Sequence, residues 1–141
     1  MTRLGGKGDT EGLAPGAVAS AAERRRGLGI RGEDAAAWWY RQAGYEIVDR
    51  NWRGPAGEID LVAMAPGGSV VVVCEVKTRS DVRYGTPLEA ISARKYSRLR
   101  RLAVRWVLAH GVLFDEIRID IIGVLRVAPG EFTIEHVRGV G

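Results

Sequence analysis

The sequence predicts an α/β fold in which a mixed β-sheet is flanked by helices, in the order α-β-β-β-α-β-β. Three segments with strand character lie between two segments with helical periodicity, and two further strand segments follow the second helix. The chain of 141 residues is long enough to bury one core, so a single domain is expected over residues 29–141. Residues 1–28 are rich in glycine, alanine and charge without a sustained apolar period, which predicts a disordered N-terminal arm.

The first predicted helix covers residues 30–43, and Gly44 supplies a stop after its last turn. At about 100° per residue, one side of this helix carries a set of residues that should pack inward. That set is Glu33, Ala36, Ala37, Tyr40 and Ala43. The acid Glu33 is therefore expected among packed residues, whereas the neighbouring Asp34 points elsewhere.

Three strands are predicted next, over residues 45–52, 58–63 and 69–77. A glycine-proline pair separates the first two, and a Pro-Gly-Gly turn separates the second from the third. The third strand contains an unbroken β-branched run at residues 70–73, which is typical of a central strand covered on both faces. Because the turn before it is short, the second and third strands are expected to be antiparallel neighbours.

A long second helix is predicted over residues 92–109, and two short strands over residues 116–125 and 132–137 complete the fold. Asp120 lies between isoleucines in the first of these strands and is interpreted as a buried structural anchor. His136, near the chain end, has no partner pattern for catalysis or zinc binding.

Two acids and a lysine are predicted to meet where the second and third strands end. Side chains alternate faces along a strand, so Glu75 and Lys77 share one face of the third strand. Cys74 and Val76 face the other way. If the two strands pair as an antiparallel hairpin, Asp60 lies beside Glu75, and two carboxylates and an ammonium group converge.

This group suits a divalent metal held against a nucleic-acid phosphate. Mg²⁺ prefers hard oxygen ligands and keeps several waters, so the predicted ligands of Mg²⁺ or Mn²⁺ are Asp60, Glu75 and the backbone carbonyl of Val76. Such a metal polarises a phosphodiester and lowers the pKa of a bound water. Lys77 would orient or deprotonate the attacking water or offset phosphate charge, and Glu33 could reach the same cluster.

Surface ion pairs on an exposed strand are the alternative explanation for each of these residues taken singly. The set as a whole favours a site, because Glu75 and Lys77 directly end a strongly apolar strand, where charges are costly unless they serve a task. For Glu58, the sequence allows two interpretations, a role in the site and a structural hydrogen bond.

Basic residues concentrate in one part of the chain and predict a polyanionic partner. Residues 79–105 hold eight basic and two acidic residues, a net charge of +6 compared with +4 for the whole chain. One narrow stripe of the second helix consists of Arg94, Arg98, Arg101 and Arg105. Aligned arginines repel one another, which a nucleic-acid backbone would relieve, although an ordinary solvated face is the alternative. Further nucleic-acid contacts are expected from Arg53, Arg79, Arg83 and Lys95. Lys95 lies near the edge of the arginine stripe and could also lean toward the predicted metal site.

The remaining composition limits the location of the protein. The single cysteine, Cys74, cannot form an internal disulfide, which favours a reducing, cytoplasmic setting. The sequence contains no apolar run of the roughly eighteen residues that a membrane span needs. Its N-terminus has no apolar segment followed by a cleavage site, so no secretory signal is expected.

The chain also resembles a known family over roughly residues 29–124. The matching stretches are Arg31-Gly32-Glu33-Asp34-Ala35-Ala36, Arg50-Asn51-Trp52-Arg53, Gly57-Glu58-Ile59-Asp60-Leu61-Val62, Cys74-Glu75-Val76-Lys77-Thr78-Arg79, Tyr84-Gly85-Thr86-Pro87, Lys95 and Arg118-Ile119-Asp120. They look like the YraN-like uncharacterised protein family, which is similar to the PD-(D/E)XK nucleases and especially to archaeal-type Holliday-junction resolvases. The resemblance implies a restriction-endonuclease-like fold with active-site residues at Glu33, Asp60, Glu75 and Lys77. Ile59, and not proline, precedes Asp60.

Two hypotheses from different classes follow. The first is a metal-dependent endonuclease that hydrolyses phosphodiesters in branched or structured DNA. The second is a non-catalytic nucleic-acid-binding module or a scaffold of a DNA-processing assembly. The joint presence of Asp60, Glu75 and Lys77 favours the first, because binding alone does not need acids near phosphates. The likeness to resolvases also implies a homodimer, since a junction has two scissile strands.

Overall fold

The structure is a computed structural model that describes residues 2–4, 21–79, 92–129 and 131–140. Its elements, in chain order, are β1 (Thr2–Leu4), α1 (Ala21–Gln42), β2 (Glu46–Gly54), β3 (Gly57–Met64), β4 (Val70–Arg79), α2 (Ala93–His110), β5 (Glu116–Ala128) and β6 (Glu131–Val137). The predicted order α-β-β-β-α-β-β is confirmed from α1 to β6, and β1 precedes it as an additional strand. No helix within the described ranges is long and apolar enough to cross a membrane.

The strands form one mixed sheet in the order β1-β6-β5-β4-β3-β2. β4 and β5 are parallel neighbours, paired from Val70 with Glu116 to Arg79 with Leu125. The other neighbouring strands of this sheet are antiparallel. A parallel pair requires a crossover connection, and α2 lies in that connection. β4 is therefore a central strand, as its β-branched run predicts, and residues 71–74 are fully buried.

Residues 1–28, for which the sequence predicts a disordered arm, include a short strand near their start and the first turns of α1 near their end. β1 pairs with β6, and α1 begins at Ala21, well before the predicted start at Ile30. Once a helix is nucleated, each further residue adds a hydrogen bond, so α1 extends from its packed part through Gly27 and Gly29 despite their low helix propensity. Residues 5–20 of the predicted arm lie outside the described residues.

The two helices pack on opposite faces of the sheet and create two core layers. The layer under α1 includes Ala36, Ala37 and Tyr40. The layer under α2 includes Leu99, Leu102, Ala103 and Trp106. Ala43 was placed on the inward side of the first helix, but it follows the last turn of α1 and is exposed. Along β4, Cys74 and Val76 belong to the α1 layer, so Glu75 and Lys77 point toward α2.

Asp120 of β5 is fully buried and lies at the centre of a polar network in the α1 layer. Its carboxylate accepts hydrogen bonds from Tyr40 Oη at 2.8 Å, from Arg118 Nε and Nη2 at 2.8 and 2.9 Å, and from Gly139 N at 3.0 Å. His136 Nε2 lies 2.7 Å from the same carboxylate. Burial alone would raise the pKa of Asp120, but the hydrogen bonds hold that pKa well below its usual range. This is the buried anchor that the flanking isoleucines predict, and His136 belongs to it.

Candidate functional site

The candidate site lies where β3 and β4 separate. Their antiparallel pairing ends at Leu61 and Cys74, although both strands continue past this point, β3 beside β2 and β4 beside β5. The side chain of Asp60 occupies the opening, and its Oδ2 accepts a hydrogen bond from the backbone amide of Val76 at 2.8 Å. Asp60 is therefore fixed between the two strands, directly beyond the end of their ladder.

A second irregularity lies in the neighbouring strand, β2. Asn51 has a left-handed backbone with a φ of 52°, a conformation that asparagine tolerates better than most residues. In a regular strand Arg50 and Trp52 would share a face, but Arg50 contacts α1 and Trp52 packs in the α2 layer. In β3, Leu61 pairs with Arg50 and packs in the α1 layer, whereas Ile59 pairs with Trp52 and packs in the α2 layer. In the sequence, only the tolerance of asparagine for a left-handed backbone signals this irregularity.

Three further acidic side chains act on Asp60. The pKa of Asp60 is raised from its ordinary 3.8 to about 6, first by burial and then by neighbouring negative charges. Those charges belong to Glu33, Glu75 and Glu58, in decreasing order of effect. The hydrogen bond from the Val76 amide opposes the shift without cancelling it. A carboxyl group perturbed in this way is typical of functional sites, and the surplus of negative charge favours a bound cation.

Glu33 reaches the opening from α1. Burial raises its pKa, while a side-chain hydrogen bond with Asn51 and the charge of Arg50 oppose the rise. Arg50 Nη2 lies 3.9 Å from Glu33 Oε2 and donates to Asp34 Oδ1 at 2.7 Å. Glu33 is thus partly buried as predicted, and the exposed Asp34 is engaged by Arg50.

Close packing of α1 on β4 determines where Glu33 lies. A methyl group on the preceding residue, Gly32, would overlap the hydroxyl of Thr78 in β4. A residue without a Cβ is therefore needed at this crossing. Gly32 allows α1 to approach β4 closely enough for Glu33 to act on Asp60.

Two lysines face Glu75 on the α2 side of the sheet. Lys95, in the first turn of α2, places its Nζ 2.8 Å from Glu75 Oε2, and only 18% and 17% of the two side chains are exposed. The pKa of Lys77 is lowered, first by burial and then by its contact with Lys95, while the charge of Glu75 opposes the change. The sequence predicts Lys95 as a nucleic-acid contact, and in the structure its ammonium group lies against a predicted metal ligand.

The donors at this opening fit a hard divalent cation. Asp60 and Glu75 supply carboxylate oxygens, and Glu75 Oε2 is buried with no aligned hydrogen-bond donor among the described residues. Within the same ranges, no three His, Cys, Asp or Glu side chains converge as a ready-made metal cluster. A metal would therefore use two carboxylates together with water and a backbone carbonyl, for which Val76 is the prediction.

The predicted nucleic-acid contacts occupy different environments. One group is the exposed stripe of α2, which consists of Arg94, Arg98, Arg101 and Arg105. Arg53 is also exposed, and its Nε lies 3.5 Å from Glu58 Oε2 in a surface pair that water screens. Arg79 is partly buried at the end of β4. Arg83 lies outside the described residues.

One family model covers the stretch of chain that builds this opening. The model described as Uncharacterised protein family UPF0102 matches residues 32–124. This chain belongs to that family. The resemblance to YraN-like proteins that the sequence motifs predict is thereby confirmed.

Relatives within UPF0102 match this chain over nearly their whole length. The UPF0102 protein of Nocardioides sp. is 51% identical over 122 residues, covering 86% of this chain and 97% of the relative. That of Beutenbergia cavernae is 48% identical over 114 residues, covering 81% and 95%. Among solved structures, SfsA of Pyrococcus furiosus in complex with Ca²⁺ is 13% identical with a TM-score of 0.38, covering 78% of this chain and 62% of that chain. A TM-score at this level is too low to indicate a shared function.

Proposed function

We propose that this UPF0102 protein is a metal-dependent endonuclease that hydrolyses phosphodiesters in branched or structured DNA, with Mg²⁺ or Mn²⁺ as its cofactor. The observation that carries the proposal is the position of Asp60, whose Oδ2 is held by the Val76 amide at 2.8 Å where the pairing of β3 and β4 ends. Burial and the charges of Glu33, Glu75 and Glu58 raise the pKa of Asp60 there to about 6. Partly buried carboxylates in such a group are unfavourable without a cation. They are also the donors that hard divalent metals prefer.

Each residue of the opening has a distinct task in this proposal. Asp60 and Glu75 would hold the metal, which when bound polarises the phosphodiester and acidifies water. Lys77 would act on the attacking water, because its lowered pKa makes it a better proton acceptor than an exposed lysine. Glu33 would orient water from the α1 side of the sheet. The likeness of these positions to PD-(D/E)XK nucleases supports the same assignment.

The arginine stripe of α2 would bind the phosphate backbone of the DNA. Its four side chains are exposed, and a helix with this local charge attracts a polyanion irrespective of sequence. A junction has two scissile strands, so we also propose a homodimer in which each copy acts on one strand. A cytoplasmic location belongs to the same proposal and agrees with the buried free thiol of Cys74.

The test is a panel of labelled junctions, flaps, single strands and RNA, incubated with the purified chain and Mn²⁺. We expect cleavage of at least one structured DNA, loss of cleavage with a chelator, and loss with Asp60→Asn. Asp115→Asn is the matched control, because it removes an exposed carboxylate between α2 and β5. Absence of cleavage of every substrate with any divalent metal would reject the enzymatic proposal.

A non-catalytic nucleic-acid-binding module, or a scaffold of a DNA-processing assembly, is the second candidate. The arginine stripe favours it, because phosphate contacts alone would account for that surface. This candidate predicts tight binding without cleavage. It also predicts that Asp60→Asn leaves DNA affinity unchanged or increases it, since the substitution removes negative charge near the phosphates.

A further inference from the structure

We infer that Lys95 is a built-in counter-cation of the proposed metal site, which neutralises Glu75 in the metal-free protein and competes with the incoming divalent metal. The inference rests on the proposed function and adds a way in which the site limits its own metal occupancy. It gives α2 a second task besides presenting arginines to a phosphate backbone.

Lys95 and Glu75 form a close and sheltered ion pair. Lys95 Nζ lies 2.8 Å from Glu75 Oε2, and less than a fifth of either side chain is exposed. Water and salt screen an exposed pair strongly and a sheltered pair much less. Because Oε2 is buried and has no aligned hydrogen-bond donor among the described residues, the ammonium group of Lys95 at 2.8 Å, together with the charge of Lys77, compensates its charge.

The backbone of Lys95 is held in place at the start of α2, next to exposed residues of the same helix. Ser92 caps α2, and its side-chain oxygen accepts a hydrogen bond from Lys95 N at 3.1 Å. One turn further along, Leu99 is buried in the core and Arg98 is exposed. A flexible four-carbon stem joins the fixed backbone to the ammonium group. The same side chain can therefore reach Glu75 in the interior or a phosphate at the surface.

A divalent metal bound by Glu75 would bring a second positive charge close to the ammonium group of Lys95, which lies 2.8 Å from Glu75 Oε2. A metal bound by Glu75 would repel Lys95, and Lys77 adds a further positive charge that also disfavours the crowding. Repulsion by the metal therefore pushes the Lys95 ammonium group away from Glu75, and weakening this ion pair lowers the apparent metal affinity. A substrate phosphate offers the displaced ammonium group a new partner. Metal and DNA should consequently bind with positive cooperativity.

Calorimetric titration of the full chain with Mn²⁺ alone tests the inference. Lys95→Gln should bind Mn²⁺ at least about fivefold more tightly than wild type, because the competing charge is gone. Lys95→Arg keeps the charge and should not bind more tightly than wild type. Arg41→Gln is the matched control, since it removes an exposed positive charge in the last turn of α1 and should change the affinity by less than about twofold.

The possible results separate the inference from the function on which it rests. Equal Mn²⁺ affinity in wild type and Lys95→Gln would overturn the inference and leave the metal site standing. Weaker binding by Lys95→Gln would overturn it as well, because the lysine would then support the metal. If neither protein binds Mn²⁺, the proposed metal site fails and the inference fails with it.

A second measurement applies without metal, and it covers the case in which Lys95→Gln folds poorly. Lys95→Met retains most of the apolar stem, so it replaces Lys95→Gln in the titration if the circular dichroism spectrum of the latter is altered. In chelator, Lys95→Met and Glu75→Gln should each lower the melting temperature, and the double variant should lower it by less than the sum. Strict additivity would mean that the two side chains do not compensate each other, which overturns the inference.

Discussion

Asp60 accepts a hydrogen bond from the Val76 amide at 2.8 Å, directly beyond the last paired residues of β3 and β4. In an uninterrupted sheet that amide would donate to a backbone carbonyl of the adjacent strand. The hydrogen bond holds the Asp60 carboxylate in a partly buried position near other acids. Burial and the negative charges of those acids raise the pKa of Asp60, although the hydrogen bond itself opposes the rise. Folding stability and affinity for a cation are therefore linked through this side chain.

Asp60→Asn should stabilise the metal-free protein above about pH 6. The folded pKa of Asp60 is about 6 against an ordinary 3.8, so the folded state binds more protons than the unfolded state between these values. The stabilising contribution of Asp60 is fully present below its ordinary pKa of 3.8 and is lost as the pH rises through its folded pKa of about 6. Asparagine does not titrate and keeps an oxygen for the Val76 amide.

Thermal melts in chelator measure this effect. The melting temperature of Asp60→Asn relative to wild type should rise by several degrees between about pH 4 and about pH 8, which corresponds to at most about 3 kcal/mol. A difference that stays constant over this range would contradict the raised pKa of Asp60.

Millimolar Mn²⁺ or Mg²⁺ should raise the melting temperature of the wild-type protein. A ligand that binds the folded state and not the unfolded state stabilises the folded state, and here it would also relieve repulsion among the carboxylates. Asp60→Asn should abolish the rise, and Asp115→Asn should retain it. An equal rise in wild type and Asp60→Asn would exclude Asp60 as a ligand.

Lys77→Ala should affect cleavage much more than binding. A general acid or base contributes about 10²–10⁴ in rate, whereas one lost phosphate contact weakens binding far less. With Mn²⁺ and a structured DNA that the wild type cuts, we expect affinity within about tenfold of wild type and cleavage at least about a hundredfold slower. Lys77→Arg should restore little activity, because guanidinium is a poor proton acceptor. Parallel losses of affinity and rate would assign Lys77 to binding.

Replacement of the arginine stripe by glutamine should weaken DNA binding to a similar extent for all sequences. The four changes are Arg94→Gln, Arg98→Gln, Arg101→Gln and Arg105→Gln. The slope of log affinity against log salt on duplex DNA should decrease by about 0.9 for each phosphate contact that is lost. An unchanged slope would make the stripe an ordinary solvated surface.

Gly32→Ala should destabilise the protein by about 2 kcal/mol or more, because the added methyl group overlaps Thr78 where α1 crosses β4. Chemical denaturation followed by circular dichroism measures the loss. Thr78→Ala in the Gly32→Ala background should recover part of it, since the closest overlap is with the threonine hydroxyl. Wild-type stability of Gly32→Ala would mean that this crossing is not tightly packed.

Local patterns in the sequence predict the order of the elements and the faces of β4. Strand alternation suffices to place Glu75 and Lys77 toward α2, and the short turn suffices to pair β3 with β4. Helical spacing likewise puts the buried residues of α2, which are Leu99, Leu102, Ala103 and Trp106, on one side of the helix. These features depend on residues a few positions apart, so a single sequence contains them.

Features that depend on distant residues are not contained in local patterns. Where the ladder ends, the carboxylate of Asp60 accepts the hydrogen bond of the Val76 amide, and this contact becomes visible only in three dimensions. His136 meets Asp120 through the pairing of β5 with β6, whose register shifts at an irregularity that periodicity does not reveal. The position of Lys95 over Glu75 depends on how α2 crosses the sheet.

Cys74 is fully buried in β4, between β3 and β5, and is the single thiol of the chain. Burial raises the pKa of this thiol well above its usual range, so the reactive thiolate is scarce in the native protein. A thiol reagent can therefore modify Cys74 only when the central strand opens, and the modification rate reports that opening. Because the adjacent Glu75 lies at the strand opening, a molecule that binds there should slow the modification. Ligands could thus be screened without a known substrate and without turnover.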